Sequence, residues 1–521
     1  MASTGFWKLA AEDPERIALI GPDDDAHTAG ELLAASNRIA NGLRALGLHN
    51  GDTVAAVLPN GLEMVELYLA ALQIGLYLTP INHHLVGPEI AYIVGDSGAK
   101  VFVTHGRFAD EATAAVKELG FPEEASFAVA GDDGVVPPGF RPFEELGAGQ
   151  PDTPPPDRSA GATMHYTSGT TGKPKGVKRG LYDIDPDDMA TLVGGFLAMF
   201  GALPHDGSVH LVGSPLYHTA VLMCMGCSLA VGHSVVLMDK WGPELMLEKI
   251  DRYGVTSSHM VPTQFHRMLA LPEDVRAKYD CSTTRTMIHA AAPCPPDVKR
   301  RMIEWWGNSI WEYYAATEGG GSIVSAEEWL EKPGTVGKAW PSSELRILDD
   351  EGAELPVRGI GTVYMALGMA DFEYKDDQEK TNANRRDGFF TVGDIGYLDE
   401  DGYLFLCDRK SDMIISGGVN IYPAEIESVL LTHPKVGDAA VFGIPHPDWG
   451  EEIKAVIEPA EGIAPDQALA DELHAWCQGQ LARFKQPKTI DFVAELPRDP
   501  NGKLYKRKLR DPYWEGQERA I

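Results

Sequence analysis

The segment Tyr166–Val177 reads Tyr-Thr-Ser-Gly-Thr-Thr-Gly-Lys-Pro-Lys-Gly-Val, and no other stretch constrains the chain so tightly. Gly169, Gly172 and Gly176 let the backbone take positive φ and approach a ligand closely. The hydroxyls of Thr167, Ser168, Thr170 and Thr171, with a run of free N–H groups, can surround phosphate oxygens. Lys173 and Lys175 bring positive charge to them. On chemistry alone the segment reads as a polyphosphate-binding loop. It is not the common one, in which Gly-Lys is followed by Ser or Thr and opens a helix. Here Gly172-Lys173 is followed by Pro174, which has no N–H and no hydroxyl for a metal ion. A plain turn between strands would not need so dense a mixture of small, hydroxyl and basic residues.

The chain has 521 residues, too many for one ordinary core, so two or more domains are expected. The 44% hydrophobic and 23% charged composition is that of a soluble globular protein. Net charge is −31, from 76 acidic and 45 basic residues, which argues against a nucleic-acid partner and against adhesion to anionic lipid. The six cysteines are too sparse for a disulfide framework. Cys224 and Cys227 form a C-x-x-C without a second pair and read as buried thiols rather than a zinc site. The N-terminal residues lack the basic start and apolar stretch of a signal peptide. Thr219–Met238 is apolar, but Gly232-His233 breaks it into a core helix and a strand. A cytoplasmic protein is expected, with at most transient membrane contact, and a homodimer is compatible with the sequence.

Thr28-Ala29-Gly30-Glu31 fits a capping box. Leu32, Ala35, Ile39, Leu43 and Leu46 follow at helical spacing, and Gly47 is the stop. Asp52–Leu58 reads as a strand, Pro59-Asn60-Gly61 as a turn, Leu62–Ile74 as a helix and Ala99–Thr104 as a strand. This alternation predicts a mainly parallel sheet covered on both faces. Pro151–Asp157 reads as an exposed crossing inside a large domain, and Leu181–Asp188 as a solvated acidic stretch. Gly254–Thr263 reads as a strand end followed by a helix start, Val436–Phe442 as a strand and Leu469–Leu481 as a helix.

Further stretches carry chemistry. Ser214–Ala220 holds Tyr217-His218. Met287–Pro293 is Met-Ile-His-Ala-Ala-Ala-Pro. Glu312–Glu318 is Glu-Tyr-Tyr-Ala-Ala-Thr-Glu. Gly388–Asp394 ends on Gly393-Asp394. Asp408–Glu427 holds Arg409, Ser411 and the pair Gly417-Gly418. Leu496–Arg510 is basic within an acidic protein and contains the tight turn Asn501-Gly502-Lys503; its other basic residues read as surface. Asp387-Gly388 and Asp401-Gly402 alone would be hairpin turns.

With the loop at 166–177, these stretches resemble, in order and over nearly the whole chain, the elements of the adenylate-forming superfamily: acyl-CoA synthetases, peptide-synthetase adenylation domains and luciferases. The resemblance implies an α/β fold. A large N-terminal domain (1–408) of stacked αβ subdomains, with mainly parallel sheets and a small β-barrel, precedes a smaller mobile α+β domain (409–521). It implies that ATP is held by Thr167, Ser168, Gly169, Thr170, Thr171, Gly172, Lys175, Ala291, Ala292, Pro293, Tyr314, Ala315, Thr317, Asp394 and Arg409. Tyr314 would stack on adenine, and Asp394 would accept the ribose hydroxyls. Magnesium would sit on Glu318 and Thr170. His218 would lie beside the reacting carboxylate, and Lys503 would act in adenylate formation together with Thr317 and Glu318. Ser411 stands at the hinge position, where relatives usually carry Asp or Lys, and Gly417 and Gly418 would let the arm of coenzyme A pass. Ala315 replaces the usual Gly. No Asp near His218 is available to pair with an amino group, which points to a plain carboxylic acid. The expected activity is a fatty-acid–CoA ligase forming acyl-AMP and pyrophosphate, then acyl-CoA and AMP. Alternatives are an aryl or steroid side-chain acid–CoA ligase, a ligase loading a carrier protein, and a non-catalytic ATP-binding protein.

Overall fold

The structure is a computed structural model that describes residues 4–167, 174–316, 319–341, 343–367, 373–375, 381–382, 384–498 and 504–515. The chain divides into two compact units. One comprises Met1–Met260, Leu271–Ile288 and Met369–Ala383, the other Val261–Ala270, His289–Gly368 and Asn384–Ile521.

The first unit contains the parallel architecture that strand–helix alternation predicts. One sheet runs Arg141–Pro142, Ser126–Val129, Ala99–His105, Thr53–Val57, Tyr77–Pro80, Ala162–Thr163, and every pairing in it is parallel. Its central strand Thr53–Val57 is buried along its whole length, as a strand covered on both faces must be. A second sheet includes, in order, Ser257–Met260, Val209–Val212, Ser234–Leu237, Ile17–Ile20 and Ala26–Thr28. Short antiparallel strands His165–Thr167, Lys175–Lys178 and Glu373–Tyr374 form a third.

Local sequence explains the helices between these strands. Thr28 Oγ1 accepts from the Glu31 amide at 3.2 Å, and Glu31 Oε2 accepts from the Thr28 amide at 2.8 Å, closing the capping box of helix Ala29–Ala45. Leu32, Ile39 and Leu43 are buried, whereas Leu46 lies past the helix end and is 39% exposed. The next helix is Leu62–Leu72, two residues shorter than expected, because Gly75 at φ 68° already turns the chain toward the strand at Tyr77. Helix Thr219–Ala230 stops before Gly232, at φ 87°, and strand Ser234–Leu237 follows.

The stretch Gly254–Thr263 holds the end of strand Ser257–Met260 and the start of helix Pro262–Leu269, as expected, after Gly254 has capped helix Pro243–Tyr253 in the left-handed conformation. Two readings need correction. Asp187 is not solvated: it is only 9% exposed and bonds Arg158 Nη2 at 2.8 Å. The second concerns the basic C-terminal run and is taken up with the site.

The second unit is built on antiparallel ladders. Ile310–Ala316 pairs with Gly319–Ser325, which pairs with Lys338–Ala339. A six-stranded antiparallel sheet comprises Arg385–Arg386, Phe389–Phe390, Gly361–Leu367, Asp394–Leu398 and Leu404–Arg409, with Ser343–Leu348 on Gly361–Leu367. Toward the C-terminus, strand Gly450–Pro459 forms a long hairpin with Val436–His446 and also pairs with Ile414–Ser416, antiparallel, and with Thr489–Phe492, parallel. Helices Pro423–Leu431 and Gln467–Gln478 bury Ile426, Leu430, Leu469 and Leu473 in the same core as Val441 and Ile457 of that hairpin.

Candidate active site

Three sequence-distant residues meet in the second unit. Asp394 opens strand Asp394–Leu398 and stands directly opposite Arg409 in the ladder. Their side chains approach to 3.4 Å, between Arg409 Nε and Asp394 Oδ1. The Tyr314 hydroxyl donates to Asp394 Oδ2 at 2.6 Å. Gly393, at φ 84°, makes the turn that presents Asp394, and its carbonyl is held by the Lys410 amide at 2.8 Å. Asp394 is thus a buried, oriented carboxylate beside a half-exposed guanidinium and an aromatic ring, a set that can accept a diol and cover a planar base.

Strand Thr286–His289 leads into the loop Ala290–Pro293. Ala291 sits at φ 72°, a conformation that costs a residue with a Cβ. Behind this loop lies a buried polar pair that the sequence reading missed. Lys299, on helix Pro296–Trp306, reaches Glu312 Oε2 at 2.5 Å, and both residues are buried. His289 Nε2 is 3.6 Å from the same oxygen. Glu312 belongs to Ile310–Ala316, the strand that carries Tyr314 and Ala315. The ladder compensates for the extra methyl of Ala315: a Cβ on its partner Gly321 would lie 2.2 Å from the Tyr314 carbonyl and 2.9 Å from Ala315 Cβ. The register shifts between Ala315 and Ala316, where a bulge can re-aim the chain.

The ends of the segment Tyr166–Val177 lie in the first unit. Thr167 pairs with Lys175 across an antiparallel ladder, which brings the two ends of the segment together. Helix Gly87–Ser97 braces them: the Tyr92 hydroxyl donates to the Pro174 carbonyl at 3.1 Å, and the Tyr166 hydroxyl to Asp96 Oδ2 at 2.6 Å. Tyr92 and Asp96 are four apart, hence on one helix face. His218 is the N-terminal cap residue of helix Thr219–Ala230, its ring centroid 4.4 Å from that of Tyr217. Buried Asn60 fixes the segment before it, donating to the carbonyls of Ser214 and Met238 and accepting from the Leu216 amide at 2.7 Å. The sequence marked Asn60 only as a turn.

At the junction after Arg409, the Ser411 carbonyl accepts from Arg510 Nη1 at 3.1 Å, and Asp412 Oδ1 lies 3.3 Å from the same nitrogen. Gly417 and Gly418, at φ 59° and 79°, form the two-residue turn of hairpin Ile414–Ser416/Val419–Ile421. A Cβ on Gly417 would meet the Trp449 ring at 2.7 Å, whereas one on Gly418 would meet open space. The basic run is not simply surface. Arg498 pairs with Asp438, and Lys506, only 11% exposed at its side chain, reaches Glu427 at 2.8 Å. Burial alone would lower the Lys506 pKa, but the carboxylates of Glu427, Asp408 and Asp412 more than offset it and hold the ammonium charged.

The structure therefore brings together Tyr314, Asp394 and Arg409 and puts Ala315, Ala291, Ala292 and Pro293 in the same unit. Ser168, Gly169, Thr170, Thr171, Gly172, Thr317, Glu318 and Lys503 lie outside the described residues. Arg498 and Leu504, on either side of the stretch that holds Lys503, form an antiparallel bridge. Cys224 and Cys227 are buried thiols, and Cys227 bonds the Val193 carbonyl. Among the described residues no group of three His, Cys, Asp or Glu could hold a metal ion, and no helix is long and apolar enough to cross a membrane.

This α/β architecture is that of an adenylating enzyme. Residues 6–368 match the family model described as AMP-binding enzyme, and residues 425–503 match that of the AMP-binding enzyme C-terminal domain. The chain belongs to the AMP-binding enzyme family, and its class is that of the AMP-forming acid–thiol ligases. It is 32% identical over 511 residues to the fatty acid–[acyl-carrier-protein] ligase ScoC of Streptomyces coeruleorubidus, covering 95% of this chain and 93% of that one. It is 31% identical over 515 residues to the long-chain-fatty-acid–CoA ligase FadD13 of Mycobacterium tuberculosis, covering 97% and 98%. Among solved structures it resembles o-succinylbenzoate CoA synthetase (MenE) from Bacillus subtilis in complex with the acyl-adenylate OSB-AMP. The TM-score is 0.81 at 29% identity, with 98% of each chain covered.

Proposed function

We propose that this enzyme activates a fatty acid with ATP and passes the acyl group to coenzyme A. The carboxylate oxygen attacks the α-phosphorus, the bond from that phosphorus to the β-phosphate bridging oxygen breaks, and pyrophosphate leaves. The thiol sulfur then attacks the acyl carbon, the carbon–oxygen bond breaks, AMP leaves, and the thiol proton passes to solvent. In this reading Asp394 and Arg409 hold the ribose and Tyr314 covers adenine, with Ala291–Pro293 and Ala315 along the base. Thr167–Gly172, Lys175 and Thr317 receive the phosphates, His218 adjoins the acid, and Gly418 with Gly417 lines the path of the thiol arm. Bringing two anions together requires positioning and charge cancellation. Lys503 supplies part of this, and it leaves on a mobile domain (409–521, hinged at Ser411) once adenylation is complete. Magnesium would be held by Glu318 and Thr170, a carboxylate and a hydroxyl that suit a hard cation. Bound there, it would neutralise phosphate charge.

One observation carries the nucleotide reading: Tyr314, Asp394 and Arg409, far apart in the sequence, meet at one carboxylate. The fatty acid is supported by the apolar helix Thr219–Ala230 next to His218, with Val221, Leu222 and Met225 buried, and by the names of ScoC and FadD13. An aryl acid is the second reading. The Tyr217 ring beside His218, itself 5.1 Å from the His83 ring, and the likeness to o-succinylbenzoate CoA synthetase favour it. Acid-dependent ATP–pyrophosphate exchange across fatty and aryl acids, followed by thioester assays with coenzyme A or a carrier protein, separates these readings. Exchange with fatty acids and thioester with coenzyme A are expected; exchange without any added acid would sink the proposal.

A further inference from the structure

We infer that Lys299 and Glu312 are positioning residues for the nucleotide base, fixing the loop Ala290–Pro293 against the strand that carries Tyr314. The inference rests on the reading above, in which loop and tyrosine flank adenine.

Lys299 is fully buried and Glu312 is 6% exposed. Taking such a pair out of water costs several kcal/mol, and a well-packed apolar pair of similar volume is often as stable or more so. Stability is thus a poor reason for the pair to exist, and placement is a better one. The Glu312 carboxylate is a hub between the start of the loop and the helix that follows it. His289, the residue before the loop, has Nε2 3.6 Å from Oε2. Cys294, the residue after it, is a thiol whose pKa is pushed up, first by burial and then by Glu312. Lys299 leaves the loop on helix Pro296–Trp306 and closes the circuit at 2.5 Å, its ammonium 5.0 Å above the Trp329 ring. Glu312 and Tyr314 are two apart on one strand, so their side chains share a face roughly 7 Å apart. The hub therefore sits one step behind the proposed adenine slot. Inside that loop Ala291 holds a left-handed backbone, a state that persists only where its surroundings over-determine it.

The test uses the full-length enzyme with Glu312→Gln, Lys299→Met and the apolar double variant Lys299→Met/Glu312→Leu. Pyrophosphate exchange gives KM for ATP, for GTP and for the acid; calorimetry gives ATP affinity directly. Each single variant is expected to raise KM for ATP roughly tenfold, narrow the preference for ATP over GTP, and leave KM for the acid within about twofold. The double variant leaves no buried charge, so it should regain most of the melting temperature yet keep the raised KM for ATP. A role in stability alone predicts the opposite: the double variant would recover ATP affinity along with stability, and that result overturns the inference. So would single variants that shift both KM values equally. If the wild type itself shows no acid-dependent exchange, the functional reading has failed; if it does, and the variants keep its KM for ATP, only this inference has.

Discussion

The Tyr314 hydroxyl donates to Asp394 Oδ2 across 2.6 Å and joins residues 80 positions apart. The bond holds one carboxylate oxygen while Arg409 faces the other at 3.4 Å. Tyr314→Phe keeps the ring and removes only this donor. Net loss of one hydrogen bond to a charged group is worth ~1.5 kcal/mol or somewhat more. KM for ATP in pyrophosphate exchange should therefore rise about tenfold, with KM for the acid unchanged. An unchanged KM for ATP would mean that this hydroxyl does not orient the Asp394 carboxylate for the nucleotide.

Lys503→Ala separates the two half-reactions. Adenylate formation should fall at least roughly a hundredfold, the scale for losing one aimed electrostatic donor. Thioester formation from supplied acyl-adenylate should be largely spared. Rapid-quench assays of each half-reaction check this, and equal losses in both would contradict the division of labour.

How much of this was legible in the sequence depends on how local each feature is. The capping box at Thr28 and Glu31, the break at Gly232 and the hairpin turn at Asp387-Gly388 are set within a few residues, and the structure has them. Asp394 and Tyr314 were legible as separate motifs, but their bond was not, because only the fold brings two strands together. Lys299–Glu312 escaped for the same reason: a lysine in an amphipathic helix reads as solvated unless its partner is known. The basic run misled in the opposite sense. Lys506 and Arg498 are neutralised by Glu427 and Asp438, which lie on other elements.

Ala291 carries a cost that glycine would not. At φ 72° an alanine loses about 1–2 kcal/mol, while glycine gives back ~0.4–1 kcal/mol through the freer unfolded chain. Ala291→Gly should thus raise the unfolding free energy by roughly 0.5 kcal/mol, and Ala291→Val should lower it, since a β-branched residue fits that region worst. Denaturant titration of the three proteins decides the order.

Acid should destabilise the first unit through its buried histidines. Burial pushes His165 and His259 down to about 4 and His210 to about 3. Unfolded histidine titrates near ~6.5, so between that pH and about 4 the unfolded chain binds more protons than the folded one. Stability is complete above that window and falls through it, by ~1.4 kcal/mol per pH unit for each such histidine. Glu66, raised to about 7 by burial and by Glu63 and Glu144, acts with the opposite sign, as does Glu63, raised by burial, while His83, also pushed down to about 4, acts with the other histidines. Unfolding free energy measured from pH 7 to pH 4.5 should decline, and His210→Asn should flatten the slope.

The chemistry itself is open to the most direct measurement. A fatty acid labelled with heavy oxygen in its carboxylate is turned over with ATP and coenzyme A, and the products are weighed by mass spectrometry. If the carboxylate attacks the α-phosphorus and the acyl carbon–oxygen bond later breaks, one labelled oxygen must remain on the phosphate of AMP. Labelled AMP with unlabelled pyrophosphate is the predicted result. Unlabelled AMP, with the heavy oxygen in pyrophosphate or orthophosphate, would contradict an acyl-adenylate.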